Sequence, residues 1–223
     1  PYCRMLAASG VGYDSPMRGL APQDLRIRPP RSRDAGLIFD FENQAAQEAL
    51  LRGWEAWPVM ARPERREWLE ECLADAGSLV LLGEYRHKQV VAWLEARVSD
   101  EPRSRDHILE FRLVVAEKFW GLRLGTGLVQ RMLAWAEERP QIEKISLPLF
   151  SNNSRALRFF GKMGFTEEGR KKREHRLPAG DWVDEIWLAR FLRSGHEGFA
   201  ASEDRRRHGP GARGPGAQER PLS

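Results

Sequence analysis

Cysteine is scarce: Cys3 and Cys72 are the only two in 223 residues, far apart in the chain and without the spacing of metal ligands. That excludes a disulfide framework, no metal is expected, and a reducing cytoplasm is the expected home. No apolar run approaches the length of a membrane span, and no signal-peptide core precedes the first strand, so no membrane partner is expected. An excess of one charge is also missing. The 36 basic and 32 acidic residues leave a net charge of +4, which predicts a mixed, solvated surface. A nucleic-acid footprint would cluster its positive charge, and none is expected here. Lysine is rare, 6 against 30 arginines, which suggests a GC-rich genome. The chain opens on Pro1 rather than Met, and Met17 is a plausible start.

What the chain does have is apolar content, 41%, enough for a real core. It is organised around Glu110 to Ala136, EFRLVVAEKFWGLRLGTGLVQRMLAWA. The pattern predicts a strand over Ile108–Val115, a glycine-bearing loop over Ala116–Leu124 and an amphipathic helix from about Gly125 to Arg139. Leu128, Met132, Trp135 and Ala136 form the buried stripe of that helix. Strand, glycine turn and helix start converge unpaired N–H groups and the positive end of the helix dipole on one spot, an anion-binding arrangement. Gly121, Gly125 and Gly127 carry no Cβ to hold a phosphate away. No Gly-Lys-Ser/Thr follows, so this is not a P-loop, and the dinucleotide fingerprint is absent. That leaves coenzyme A as a leading ligand; a purely structural turn explains the same residues.

Around this centre the periodicities predict a strand at Asp24–Arg28 and a helix opened by Ser32, with Leu37, Ile38, Phe41, Ala45, Ala49 and Leu50 inward. A connection carries Trp54, Trp57 and Pro58. A second helix, Glu64–Ala74, points Trp68, Cys72 and Leu73 inward. A hairpin follows, Leu79–Glu84 with Gln89–Val98. Beyond the central element come a strand at Lys144–Pro148, a helix from Asn153 to Met163, and a closing pair, Phe165–Arg176 with Trp182–Phe191. Three parts result: a loose leader over 1–23, one α/β domain over 24–193, and a Gly/Pro/Arg-rich tail over 194–223 that is expected to be disordered.

One further stretch, Phe150-Ser-Asn-Asn-Ser-Arg-Ala-Leu-Arg-Phe-Phe-Gly-Lys-Met-Gly-Phe165 followed by Glu167-Glu-Gly169, resembles the second signature of the GNAT superfamily of N-acetyltransferases. Asn153, Ala156, Gly164 and Phe165 occupy the matching positions. Val115-Ala116-Glu117 and Trp120-Gly121-x-x-x-Gly125 then look like the family's acetyl-CoA motif. The resemblance covers roughly Leu25 to Leu192. Its motif style is that of members acting on ribosomal-protein N-termini, polyamines or amino acids. It implies a mixed, mostly antiparallel sheet flanked by helices and splayed between the fourth and fifth strands. The implied activity is acetyl transfer from acetyl-CoA to a primary amine, of a small molecule or a protein N-terminus, by direct transfer in a ternary complex. A catalytically weak acyl-CoA-binding regulatory module is the alternative, and a homodimer is the implied assembly.

By the same resemblance, the main chain of Leu113, Val114 and Val115 would pair with the pantetheine arm. The N–H groups of Trp120, Gly121, Leu122, Arg123, Leu124, Gly125 and Thr126 would cradle the diphosphate. Asn153 would cap its helix and bond the pantetheine, and Arg158, with Arg155 and Lys162, would lie near the 3′-phosphate or serve as plain surface charge. Glu110 is the implied base; an ion pair with Arg112 or Arg97 competes for it. There are three departures from the family pattern. Trp120 stands where the loop usually begins with Arg or Gln, although a Trp-Gly opening resembles one branch of the family. Arg123 stands where Gly is usual, either touching phosphate or pointing to solvent at a site that does not need φ > 0. Phe160 stands where many members carry a proton-donating Tyr, and no substitute donor is evident.

Overall fold

The computed structural model describes residues 22–51, 60–98, 103–177 and 180–193. The expected leader, the Trp54–Pro58 connection and the tail lie outside the described residues, apart from its last two positions, Pro22 and Gln23, for the leader. Strands β1 (Leu25–Arg28), β2 (Ser78–Tyr85), β3 (Gln89–Val98), β4 (Ile108–Val115), β5 (Lys144–Phe150), β6 (Thr166–Arg176) and β7 (Trp182–Phe191) form one sheet in the order β1-β2-β3-β4-β5-β7-β6. Among the described residues four α-helices accompany it: α1 (Ala35–Leu51), α2 (Arg62–Ala74), α3 (Leu124–Glu137) and α4 (Ser154–Lys162). Every described strand pair is antiparallel except β4 with β5. That parallel pair is joined through α3, the crossover that parallel strands require.

Alternation along β3 and β4 divides the helices between the two faces. Trp93, Glu95, Glu110 and Arg112 face α1 and α2, where Trp68 meets Trp93 edge-on at 5.8 Å. Phe111 points the other way, its ring 5.7 Å from Phe160 and 5.8 Å from Phe165. There α3 and α4 close a core of Leu109, Leu113, Leu128, Val129, Met132 and Phe160.

Most elements fall where the periodicity puts them, with β5 running two residues further. Two inward positions are wrong. Leu37 and Leu73 are exposed, because the buried stripe of α1 runs Ala35, Ile38, Phe41, Glu42 and that of α2 runs Arg65, Leu69, Cys72.

Candidate active site

Strands β4 and β5 pair only over Ile108–Lys144, Leu109–Ile145 and Glu110–Ser146, then part. Ala116 N–H donates to Val91 C=O at 2.9 Å, which makes Val115 and Ala92 a pair without mutual hydrogen bonds. By alternation Leu113 and Val115 therefore turn their main-chain groups into the gap, while Val114 turns its groups to Trp93. The chain leaves β4 through a tight turn at Glu117–Phe119 and enters α3. Gly121 takes φ +80 and Arg123 φ +60, so the Arg123 position does require the left-handed region. The sequence-based view that it does not is corrected. Glycine is usual there because it occupies that region without strain; Arg123 occupies it under strain.

The N–H groups from Gly121 to Thr126 donate no hydrogen bond among the described residues; the first to do so is Gly127, to Arg123 C=O at 2.9 Å. Six consecutive free donors at a helix start, opened by a positive-φ glycine, fit a diphosphate. Gly127 serves another purpose: a Cβ there would lie 2.8 Å from Ile27 Cδ1, so it admits α3 against β1. At Gly125 a Cβ would meet Phe159 at 3.6 Å and Leu113 and Val115 at 3.7 Å. Loop, strand end and α4 thus converge on the gap.

On the α4 side, Asn153 is the N-cap: its Oδ1 accepts from Ala156 N–H at 3.1 Å and the residue is buried. Trp120 bridges the gap's rim. Its indole N–H donates to Val115 C=O at 2.8 Å, and the Arg155 guanidinium stacks on its ring at 4.1 Å. Arg158 is exposed. Phe160 is wholly buried against Phe111, Phe159 and Phe165, a setting in which a Tyr hydroxyl would need its own partner.

The opposite face carries titratable groups. The carboxylate of Glu110 is held by Arg105, from the turn before β4. Of the two ion-pair alternatives for Glu110, Arg112 instead bonds Glu95 at 2.9 Å and lies 3.6 Å from Glu42, while Arg97 stands opposite Glu110 in the β3–β4 register. Glu42 also pairs with Arg65, and both are fully buried. Burial pushes the Glu42 carboxyl up and the Arg65 guanidinium down, with their mutual attraction opposing both. Level with Phe150 at the end of β5, Glu185 accepts from Lys171 Nζ at 2.8 Å and Trp187 Nε1 at 2.9 Å, and lies 3.2 Å from His175 Nε2. Burial alone would raise Glu185, but these hydrogen bonds bring it below the usual carboxylate value. Cys72 is buried, its thiol pushed up to about 11 by desolvation and then by the charge of Glu95, so it is no thiolate nucleophile. Among the described residues no cluster of His, Cys, Asp or Glu could hold a metal ion, and no helix is long and apolar enough to cross a membrane.

A model of the acetyltransferase (GNAT) family matches residues 43–165, more than half of the chain. The chain belongs to the GNAT family. It is therefore an acyltransferase, an N-acetyltransferase by kind. Among curated relatives, L-amino acid N-acetyltransferase AaaT of Escherichia coli (strain K12) is 28% identical over 128 residues, 57% of this chain and 77% of that protein. Solved GNAT structures share the fold. The yncA protein of Salmonella typhimurium, a putative acetyltransferase solved with its cofactor acetyl-CoA, superposes with TM-score 0.66 at 20% identity, over 78% of this chain and 96% of that one. Ribosomal-protein-alanine N-acetyltransferase from Brucella melitensis gives 0.64 at 23%, over 75% and 99%.

Within this GNAT domain the structure gathers Leu113, Val115, Trp120, the Gly121–Thr126 loop and Asn153 at the parting of β4 and β5, and puts Glu110 on the other face. Three residues escaped the sequence reading. Phe159 lines the gap beside Gly125. Glu185 and His175 were hidden because β6 carries extra residues: Lys171 is level with Glu185 and His175 with Val183, which breaks simple counting along the strand.

Proposed function

We propose that this protein transfers the acetyl group of acetyl-CoA directly to a primary amine within a ternary complex. The run of six free N–H donors from Gly121 to Thr126 at the mouth of the β4–β5 gap carries this reading. The diphosphate sits on those donors and the pantetheine arm threads the gap, with the main chain of Leu113 and Val115 and the amide of Asn153 as partners. Trp120 holds the rim, and Arg158 is within the reach of α4's exposed side toward the 3′-phosphate. The thioester then lies along β4 near Val114, with a main-chain donor aimed at its oxygen, where negative charge gathers in the transition state.

The acceptor enters from the α1/α2 face. There Glu110 takes the proton of the incoming ammonium, directly or through a water, once Arg105 yields the carboxylate. The nitrogen pair attacks the acetyl carbon and the thiolate leaves. Buried Cys72, with its raised thiol, supports transfer without an acetyl-enzyme. An acceptor with amino-acid character is favoured by the likeness to an L-amino acid N-acetyltransferase. We further propose a cytoplasmic home, a homodimer, and a catalytic domain over 24–193 between a leader and a tail.

Release of free thiol from acetyl-CoA over a panel of amino acids, polyamines and peptide N-termini tests the reading. Amine-dependent release is expected. Calorimetric binding of acetyl-CoA with no release over the whole panel would instead favour an acyl-CoA-binding regulatory module.

A further inference from the structure

The proposed base does not stand free. Glu110 Oε1 accepts a hydrogen bond from Arg105 Nη2, and the two side chains form an ion pair. The guanidinium and the acceptor's ammonium compete for one carboxylate, and Glu110 takes the amine's proton only once Arg105 yields it. Something has to draw Arg105 away as the amine arrives.

The surroundings narrow what that is. Glu110 is the last β4 residue paired with β5, so the gap opens one residue further on. Both partners are open to solvent, the Arg105 side chain 41% and the Glu110 side chain 21% exposed. The neighbouring cations are engaged elsewhere: Arg112 is held by Glu95 at 2.9 Å and is 11% exposed, and Arg65 is buried on Glu42. Arg105 comes from a short turn, Arg103–Arg105, rather than from the sheet. Its guanidinium can therefore swing about its side-chain bonds without breaking a strand. An exposed ion pair contributes little to stability, so opening this one costs little.

A ligand that opens the pair without leaving either charge bare must bring both charges itself, a cation for Glu110 and an anion for Arg105. An α-amino acid has that form, with ammonium and carboxylate on one carbon. A polyamine brings ammonium alone, and at a peptide N-terminus the neighbouring carboxyl is a neutral amide. We propose that the acceptor is a free α-amino acid whose carboxylate is received by Arg105, and that this exchange is what frees Glu110. This rests on the transferase reading above and on Glu110 as its base. One ion pair is replaced by two: the guanidinium takes the substrate carboxylate through paired N–H groups, and the ammonium meets Glu110. Glu110 then accepts one ammonium proton and becomes the neutral acid, while the nitrogen keeps the electron pair with which it attacks the thioester. Arg105 stays charged throughout and selects for a carboxylate beside the amine.

The test uses the full chain and acetyl-CoA, with a set of L-amino acids and the α-amide of each. The amide keeps the side chain and the amine but has no carboxylate. Its ammonium gives up a proton more easily, so a preference for the acid does not come from amine basicity. The wild type should acetylate at least one acid with kcat/KM about tenfold or more above its amide, the worth of one charged hydrogen-bonding partner. Arg105→Met should lower kcat/KM for that acid by about 10-fold to 10²-fold and leave the amide within about twofold, or raise it. The KM for acetyl-CoA should not change. Arg105→Lys, still charged, should keep part of the preference. Arg97→Met, which alters the residue opposite Glu110, should keep all of it. Equal losses for acid and amide in Arg105→Met, a preference that survives that change, or one lost in Arg97→Met instead would each overturn the proposal while the transferase reading stands. So would a wild type that acetylates only amines without a carboxylate. A wild type that releases no thiol with any amine overturns both.

Discussion

Arg123 concentrates the difference between this chain and the usual glycine-rich loop. Its φ of +60 is one that a side chain with a Cβ holds only under strain, by about 1 kcal/mol or more. Arg123→Gly should therefore stabilise the fold by about 0.5–1 kcal/mol after the added freedom of the unfolded glycine is counted, read as a higher urea midpoint at constant slope. A lower midpoint would mean that the guanidinium makes a contact worth more than the strain. Gly127 is the reverse case: with Ile27 Cδ1 2.8 Å from any added Cβ, Gly127→Ala overpacks the α3–β1 contact and should destabilise by about 1–3 kcal/mol. Glu110 sits on β4 with its carboxylate on Arg105. Glu110→Gln should lower kcat by about 10²-fold or more, the lower range for a lost proton acceptor, and leave acetyl-CoA affinity alone; an unchanged rate removes Glu110 from the mechanism.

Helices α1 and α2 are tied to the sheet by charge as well as by apolar packing. Glu42, Arg65, Arg112 and Glu95 form a chain of ion pairs against Trp93, and several buried atoms in it, among them Arg65 Nε and Arg112 Nε, have no hydrogen-bond partner among the described residues. Removing one member strands the other: Glu42→Gln should cost about 3–5 kcal/mol, whereas Glu42→Met with Arg65→Met together should come close to wild type, both by thermal or urea unfolding. A second tie joins β1, β2 and the turn before α1, where Arg28 bonds Glu84 at 2.5 Å and Asp34 at 2.6 Å. The Arg28 hydrogen bond, ahead of desolvation, holds Glu84 below its ordinary 4.5. A carboxylate depressed in the folded state adds stability above its unfolded value and loses it as pH falls through the folded one. Arg28→Met should therefore unfold more easily than wild type at pH 7, and the difference should shrink as the pH drops below about 4.5.

These elements mark how far the sequence could be read. The β4–loop–α3 unit and the Asn153 cap are local, set by residues adjacent in the chain, and their pattern was legible. Glu42 and Arg65 were not, since a charged residue in a helix is ordinarily solvated and only tertiary packing brings two of them together in the core. Nor was His175, because the bulge in β6 shifts its register by residues that carry no signature of their own. Arg105, which holds the Glu110 carboxylate, lies in a turn whose approach to the strand no periodicity encodes.

For the whole molecule, the sheet keeps two tasks apart and joins them at one opening. The α3/α4 face ends in free main-chain donors suited to an anion, the α1/α2 face gathers the carboxylates of Glu42, Glu95 and Glu110, and the parting of β4 from β5 lies between them. In the proposed reaction the acetyl group crosses at the gap, with no covalent stop on the protein. The most direct check is a titration of the 15N-labelled chain with acetyl-CoA, followed through the amide signals of Gly121 to Thr126. The account predicts saturable downfield shifts of those six amides at one shared Kd, together with those of Leu113 and Val115. Binding of acetyl-CoA that leaves those amides unmoved would contradict it.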